Sequence, residues 1–166
     1  MHVHTSRVPV APPRVLVVED DPDIRTFVVL QLRELGYDVL AAETGDEGLE
    51  LALTSRPALV LLDLMLPGLD GYTVCRELRA RSEVPVIVLS GRSREQDRVR
   101  ALELGADVYL TKPVGADELV AAVAAALRRP ELSGHDEEPV LRVGDLEIDL
   151  AGRRVFARIR VGHSMP

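Results

Sequence analysis

Residues 58–71 read ALVLLDLMLPGLDG, and the fold turns on how this stretch is placed. Five apolar residues, Ala58 to Leu62, run straight into one carboxylate, Asp63. The run is led by Pro57 and stopped by Pro67-Gly68, so it reads as a buried central strand rather than a helix. Asp63 then sits near the carboxyl end of that strand, where open α/β sheets place their ligand sites. The plain alternative is that Asp63 begins a loop or caps the next helix. Asp70 is better placed as that cap, directly before GYTVCRELRAR.

Outward from this strand, the chain alternates. Arg14–Val18 is a compact, β-branched strand that ends in Glu19-Asp20-Asp21. Pro22 after an acidic cap predicts a helix from about Pro22 to Leu35, stopped at Gly36. Tyr37–Ala42 is a second strand. Thr44 caps a helix from about Gly45 to Thr54, with Glu47 in the capping-box position. After the Asp63 strand comes a helix from about Tyr72 to Arg81. Val84–Leu89 is a fourth strand, ending at Ser90-Gly91. A helix from about Arg94 to Leu104 ends at Gly105, and Asp107–Leu110 is a short fifth strand ending at Thr111-Lys112-Pro113. Asp117-Glu118 opens an Ala-rich helix that reaches Arg128-Arg129. Strand and helix alternate five times, which predicts an α/β fold: a doubly wound (βα)5 parallel sheet with helices on both faces and right-handed crossovers.

Bulk properties bound the function. The chain has 166 residues, 46% of them hydrophobic, which suits one ordinary domain and a fragment of a second. A formal net charge of −7 argues against a nucleic-acid binder by bulk charge. Cys75 is the single cysteine, so no internal disulfide forms and a reducing compartment fits. In a helix, it reads as a buried or half-buried residue. No apolar stretch reaches the ~20 residues needed to cross a bilayer. The lead MHVHTSRVPVAPP, residues 1–13, lacks the apolar core of a signal peptide and reads as disordered. The protein is expected to be soluble and cytoplasmic, with no membrane partner.

The topology gathers chemistry at one sheet edge. The 43 residues from Asp20 to Asp63 hold a βαβ unit plus a strand, so both acids fall at the same edge. Ser90 and Lys112 follow their own strands at that edge too. Glu19, Asp20 and Asp63 form a three-acid cluster, whose like charges raise at least one pKa unless a cation is bound. Oxygen ligands without His or Cys favour Mg²⁺ over zinc. Lys112 adds a fixed positive charge and Ser90 a hydroxyl. Together they make a phosphoryl-transfer site in which a carboxylate attacks while metal and Lys neutralise charge on the phosphoryl oxygens. The alternative is an acidic surface loop beside a solvated Lys. Two enzyme readings fit less well. An Asp-nucleophile phosphatase of the dehalogenase type wants a second Asp where Met65 stands. A flavodoxin wants a hydroxyl- and Gly-rich phosphate loop where Glu19-Asp20-Asp21 repels phosphate. His2, His4, His135 and His163 lie in tails or linker, with no ligand partners by spacing.

The stretches VLVVEDDPDIR, LVLLDLMLPGLDGYTVCRELR, VPVIVLSGRS and LELGADVYLTKP resemble the receiver domain of bacterial two-component response regulators over residues 14–129. The resemblance implies a flavodoxin-like (CheY-like) strand order. It implies Asp63 as phosphoacceptor for a sensor histidine kinase, and Mg²⁺, for which Mn²⁺ can substitute. Glu19, Asp20, Asp63 and the Met65 carbonyl would be the metal ligands. Lys112 and Ser90 would contact the phosphoryl group, and Ser90 with Tyr109 would be the switch pair. No turnover of an external substrate is implied, only self-catalysed phosphoryl transfer to Asp63 and slow autodephosphorylation. In the OmpR/PhoB-type subfamily the face of the fourth helix, fifth strand and fifth helix forms a homodimer. Here Arg98 and Glu118 match one ion pair of that face, and Asp107 and Arg129 another. The third pair is replaced by Val108 and Ala122, which avoids an orphaned charge. Val99, Leu102 and Val120 would add an apolar patch. Gly91 and Val114 depart from the family's usual Ala and Phe without touching the chemistry.

Residues 130–139, PELSGHDEEP, are polar and Pro-bounded and suit a linker. Val140–Val143, Leu146–Leu150 and Arg154–Ala157 read as short strands and resemble the start of an OmpR-type winged-helix domain over residues 140–166. The helices such a domain uses for the major groove are missing from this sequence, so specific DNA binding by these residues is expected to be weak or nil. The basic run Arg153, Arg154, Arg158 and Arg160 reads as a solvated strand rather than a phosphate grip. Two functions of different class follow: the phospho-switch of a transcriptional regulator, or a stand-alone receiver acting as phosphate sink or adaptor. Only the first predicts DNA binding, through the missing part of the effector domain.

Overall fold

The computed structural model describes residues 11–128 and the strand backbones at 140–143, 146–149 and 154–157. The lead before residue 11, Arg129, the linker 130–139, residues 144–145, residues 150–153 with Leu150 and Arg153, and the last residues from 158 on lie outside the described residues.

Five strands and five helices alternate: β1 (Arg14–Val18), α1 (Pro22–Glu34), β2 (Asp38–Ala42), α2 (Gly45–Ser55), β3 (Leu59–Leu62), α3 (Gly71–Arg81), β4 (Val86–Ser90), α4 (Glu95–Glu103), β5 (Val108–Thr111) and α5 (Ala116–Leu127). The strands make one parallel sheet in the order β2-β1-β3-β4-β5. This is the (βα)5 parallel sheet expected from the alternation, in the flavodoxin-like order that the receiver resemblance implied. Three more strands, β6 (Val140–Val143), β7 (Leu146–Asp149) and β8 (Arg154–Ala157), pair antiparallel in a second small sheet.

The two-residue period of the strands divides the core in two. Leu16, Val18, Val60, Leu62, Val86 and Val88 point to one face, against Ala52 of α2, Val74, Cys75 and Leu78 of α3, and Ala101 of α4. Val15, Val17, Leu59, Leu61, Ile87 and Leu89 point to the other, against Val28 and Leu32 of α1 and Leu119, Ala122 and Val123 of α5. β3 is buried at every position, which is why its sequence shows no polar alternation. Burial also pushes the Cys75 thiol up to about 11, so it is a core residue and not a reactive one.

Helix starts follow the expected caps. The Asp21 carboxylate accepts from the N–H groups of Asp23 and Ile24, Thr44 Oγ1 accepts from Glu47 N, and Asp70 accepts from Thr73 N. The Glu47 carboxylate returns to Glu43 N rather than to the cap residue, so the capping box is displaced by one position. Strand boundaries differ from the sequence reading by one or two residues: β2 begins at Asp38 rather than Tyr37, and β5 runs Val108–Thr111 rather than Asp107–Leu110. β4 starts at Val86, not Val84: the Val84 N–H turns to Ser82 Oγ at 3.1 Å, and Pro85 has no N–H for the ladder. β4 also runs through Ser90, which pairs with Thr111, so the serine closes the strand instead of following it. α2 ends at Ser55, and its C-cap Arg56 has φ of 46°, a left-handed position filled by a side chain that usually avoids it.

The sheet sets the distance between its strand ends. Val18 is in register with Leu62. The pairing runs one step further, with Asp63 N donating to Val18 O at 3.0 Å and Glu19 N to Ala42 O at 3.0 Å. On the β3 side the loop is closed by Gly71, whose N–H donates to Leu64 O at 3.0 Å. A Cβ at Gly71 would run into the backbone of Asp63 and Leu64. Gly71→Ala is therefore expected to destabilise the domain by about 1–3 kcal/mol through overpacking. Urea denaturation of the purified variant checks this; an unchanged midpoint counts against the close approach.

Candidate functional site

Glu19, Asp20 and Asp63 converge where β1 and β3 end. Each offers a carboxylate oxygen, and these lie within 4.8 Å of one another. Glu19 and Asp63 are only 3% and 4% exposed, while Asp20 is open to solvent. Two carboxylates so sheltered need a counter-charge. Lys112, just past β5, supplies it: Nζ lies 2.9 Å from Glu19 Oε2, 3.1 Å from Oε1 and 3.4 Å from Asp63 Oδ2. Its main chain is fixed by Lys112 N donating to Ser90 O at 2.8 Å, and a cis Lys112-Pro113 bond follows.

Burial pushes the Glu19 carboxyl above its ordinary value, and the charge of Asp63 adds to the rise. The hydrogen bond and charge of Lys112 pull the other way and do not cancel it. For Lys112, burial alone would lower the pKa. The bond to Glu19 and the charges of Asp63 and Glu19 outweigh it and leave the ammonium raised. The repulsion between like charges contributes to the rise, but burial is the larger cause.

The other predicted residues fall around this cluster. Met65 N donates to Asp63 Oδ1 at 3.2 Å, which places Met65 in the loop beside the phosphoacceptor candidate, with its side chain exposed. Ser90 is fully buried, and its Oγ accepts from Arg92 N at 3.2 Å. Tyr109 is buried, and its hydroxyl donates to Arg92 O at 2.6 Å. Ser90 and Tyr109 thus meet at one loop residue, Arg92.

The predicted dimer face is mixed. Val99 and Leu102 of α4 are 43% and 37% exposed, and Arg98, Glu118 and Val120 are half-buried. Asp107 is engaged within the chain: Oδ2 accepts from Val86 N at 2.8 Å and from Arg79 Nη2 at 3.2 Å. Val108 and Ala122, which stand in for the third ion pair, are core residues at 3% and 1% exposed. Arg129 lies outside the described residues.

Sequence reasoning missed four residues here. Tyr72 donates from its hydroxyl to Asp97 Oδ1 at 3.1 Å, tying the start of α3 to α4, and Arg100 stacks over the Tyr72 ring at 4.1 Å. Arg25 donates to the carbonyl oxygens of Glu19 and Asp20. A hydroxyl-bearing ring directly after the Asp70-Gly71 cap was the signal for the first contact. Nothing in the spacing distinguishes Arg25 from a solvated helix residue.

Chemically, the arrangement gathers three carboxylates and one ammonium at a single point. Three carboxylates and no His or Cys form an oxygen donor set that fits Mg²⁺. Lys112 stands ready to meet an anionic group beside Asp63. Among the described residues, no helix is long and apolar enough to cross a membrane.

Comparison with known proteins identifies the family and the fold. The family profile "Response regulator receiver domain" matches residues 15–124. The DNA-binding response regulator MtrA of Mycolicibacterium smegmatis is 45% identical over 144 residues, covering 86% of this chain and 61% of the relative. The transcriptional regulatory protein PrrA of Mycobacterium tuberculosis is 47% identical over 146 residues, covering 87% and 63%. The chain therefore spans about three fifths of the length of the curated relatives it matches. Among solved structures, the BeF3-activated N-terminal receiver domain of Klebsiella pneumoniae RstA superposes with a TM-score of 0.68 at 35% identity, covering 70% of this chain and 99% of that one. The receiver domain of a sensor histidine kinase from Pseudomonas aeruginosa, with a magnesium ion coordinated in its active-site cleft, gives 0.66 at 35% identity, covering 70% and 98%.

Removing the ammonium leaves two sheltered carboxylates without their shared partner. Lys112→Gln is expected to cost about 2 kcal/mol of stability at neutral pH. Thermal and urea melts of the metal-free protein measure this. A variant as stable as the parent would mean that Lys112 does not hold the acids together.

Proposed function

The chain belongs to the response regulator receiver family, and from that premise we propose that it is a Mg²⁺-dependent phospho-acceptor switched by a sensor histidine kinase. The observation that carries this reading is the meeting of Asp63 with Glu19, Asp20 and Lys112 at one strand-end cluster. A carboxylate oxygen of Asp63 attacks the phosphorus of a phosphohistidine. The P–N bond breaks, its electron pair leaves with the imidazole nitrogen, and an acyl phosphate remains on Asp63. Mg²⁺, held by Glu19, Asp20, Asp63 and the Met65 carbonyl, would supply charge neutralisation on the phosphoryl oxygens. Lys112 is already within salt-bridge reach of Asp63 and needs only to exchange part of its bond to Glu19 for a phosphoryl oxygen. Met65 N fixes the carboxylate plane. The chain turns over no external substrate: it labels itself and loses the label slowly by hydrolysis.

The output follows from Ser90. A phosphoryl group on Asp63 brings strong acceptor oxygens to the site edge. Ser90 Oγ turns from the Arg92 N–H to donate to one of them, and the Arg92 loop moves with Tyr109 and α4. The exposed Val99 and Leu102, flanked by Arg98 and Glu118, then pair with a second copy through the α4–β5–α5 face. The relatives named as transcriptional regulators point to control of transcription as the purpose of this switch. The chain acts in the cytoplasm on this reading, with a sensor histidine kinase as its partner.

Acetyl phosphate with Mg²⁺ is expected to place one phosphoryl group on the purified chain, read by intact mass. The adduct should be absent without Mg²⁺ and absent from Asp63→Asn. A folded parent protein that takes up no label under these conditions refutes the reading. For the output, Leu102→Glu is expected to keep phosphorylation at the parent rate while abolishing the dimer seen by light scattering after labelling. A charged residue at 102 that leaves the dimer intact would move the interface elsewhere.

A further inference from the structure

The loop that carries Glu19 and Asp20 is held from the helix after it. Arg25 lies on the second turn of α1 and folds its side chain back over the loop. Its Nη1 donates to the carbonyl oxygen of Glu19 at 3.0 Å and to that of Asp20 at 3.3 Å. Its Nη2 lies 3.2 Å from Glu43 Oε1, just beyond β2. The Arg25 side chain is 18% exposed and Glu43 is 68% exposed. An ion pair with so open a partner contributes little. The bonds from a sheltered guanidinium to two carbonyls are the stronger part of the contact.

We infer that Arg25 is a positioning residue of the divalent-cation site, acting on Glu19 and Asp20 through their backbone. The inference rests on the reading of the acidic cluster as a Mg²⁺ site. In an extended chain, successive side chains leave on opposite faces. Glu19 and Asp20 are successive, yet both carboxylates reach one point beside Asp63. The chain must therefore turn between them. Both of their carbonyls converge on one nitrogen of Arg25, which holds that turn. The fork shape of the guanidinium matters because one side chain spans two carbonyls and Glu43, which a lysine does not do.

Arg25 is also a cation beside a cation site, and this makes the inference decidable by sign. If Arg25 acted only through its charge, Arg25→Gln would tighten Mg²⁺ binding and Arg25→Lys would leave it unchanged. If it positions the loop, both variants bind more weakly. Calorimetric titration of Mg²⁺ into the parent chain, Arg25→Gln, Arg25→Lys and Glu43→Gln separates these. Both Arg25 variants are expected to bind Mg²⁺ about tenfold more weakly or worse, as for other residues that orient metal ligands. Glu43→Gln is expected to stay within about twofold of the parent, since its ion pair is open to solvent. Amide exchange at residues 19–21 should quicken in the two Arg25 variants. The Mg²⁺ concentration for half-maximal acetyl-phosphate labelling should rise, while the rate at saturating Mg²⁺ returns close to that of the parent. If Arg25→Gln loses its helical circular dichroism, Arg25→Lys, which keeps the charge, decides alone. Parent-like or tighter Mg²⁺ binding in a folded Arg25 variant overturns the inference, as does a labelling rate that saturating Mg²⁺ does not restore. A parent chain without saturable Mg²⁺ binding overturns the cation site itself, and with it the role of Arg25.

Discussion

Two carboxylates buried beside one another can persist only because one ammonium reaches both. Glu19 and Asp63 are withdrawn from water, and Lys112 touches each. The three come from β1, β3 and β5, so each strand must end at the right height. A one-residue slip of any strand would reverse its faces and turn an acid or the lysine into the core. The core therefore enforces the site. The Val18 and Leu62 register that packs one face of the sheet is the same register that sets Glu19 against Asp63. The site remains poised because Lys112 is shared. It holds Glu19 closely and Asp63 more loosely, which leaves Asp63 the more available of the two.

The fold was legible because its signals are redundant. Each helix start has an acidic or hydroxyl cap or an acidic first turn, each strand is an apolar run, and Gly36 and Gly105 end their helices with positive φ. The misplacement of β4 is of a different kind. Val84 and Pro85 have strand-like side chains, and only the missing proline N–H and the Ser82 hydroxyl beside it move the start to Val86. Hydrophobic pattern records which face a residue packs on, while ladder membership depends on which hydrogen bonds are made. The two agree in the centre of a strand and separate at its ends.

The site was legible for the same reason the fold was: Asp63, Ser90 and Lys112 each end or follow a strand, and strand ends are countable. Residues that act on these from a helix flank are not countable. Arg25, Arg79 and Asp97 are charged residues on amphipathic helices, where charge is the ordinary composition of the outer face. Arg79 donates to the carbonyls of Gly105 and Val84 and to Asp107, and so fastens the end of α3 to the start of β5. Its sequence setting, LRAR, carries no trace of this. Asp107 shows the converse. Its match to a family ion pair is visible in the sequence, but its hydrogen bonds to Arg79 and Val86 N appear only once β4 and β5 lie side by side.

The attachment of α4 is consistent with a moving part. Ala101 is its one buried residue, so little apolar area holds the helix to the sheet. Polar contacts do most of the fastening: Tyr72 and Arg92 meet at Asp97, Arg100 covers the Tyr72 ring, and Tyr109 bonds to Arg92 O. A helix held by packed leucines moves only at the cost of a cavity. A helix held by hydrogen bonds can exchange one partner for another at nearly equal energy, provided that each group stays paired. Ser90 lies at the junction of the two regimes. Its backbone belongs to β4 in the rigid sheet, and its hydroxyl accepts from Arg92 at the foot of the loosely held helix. A change of hydrogen-bond partner at Ser90 therefore falls beside the helix with the fewest buried residues of the five. On the proposed reading, a new charge on Asp63 would act there with little disturbance of the core.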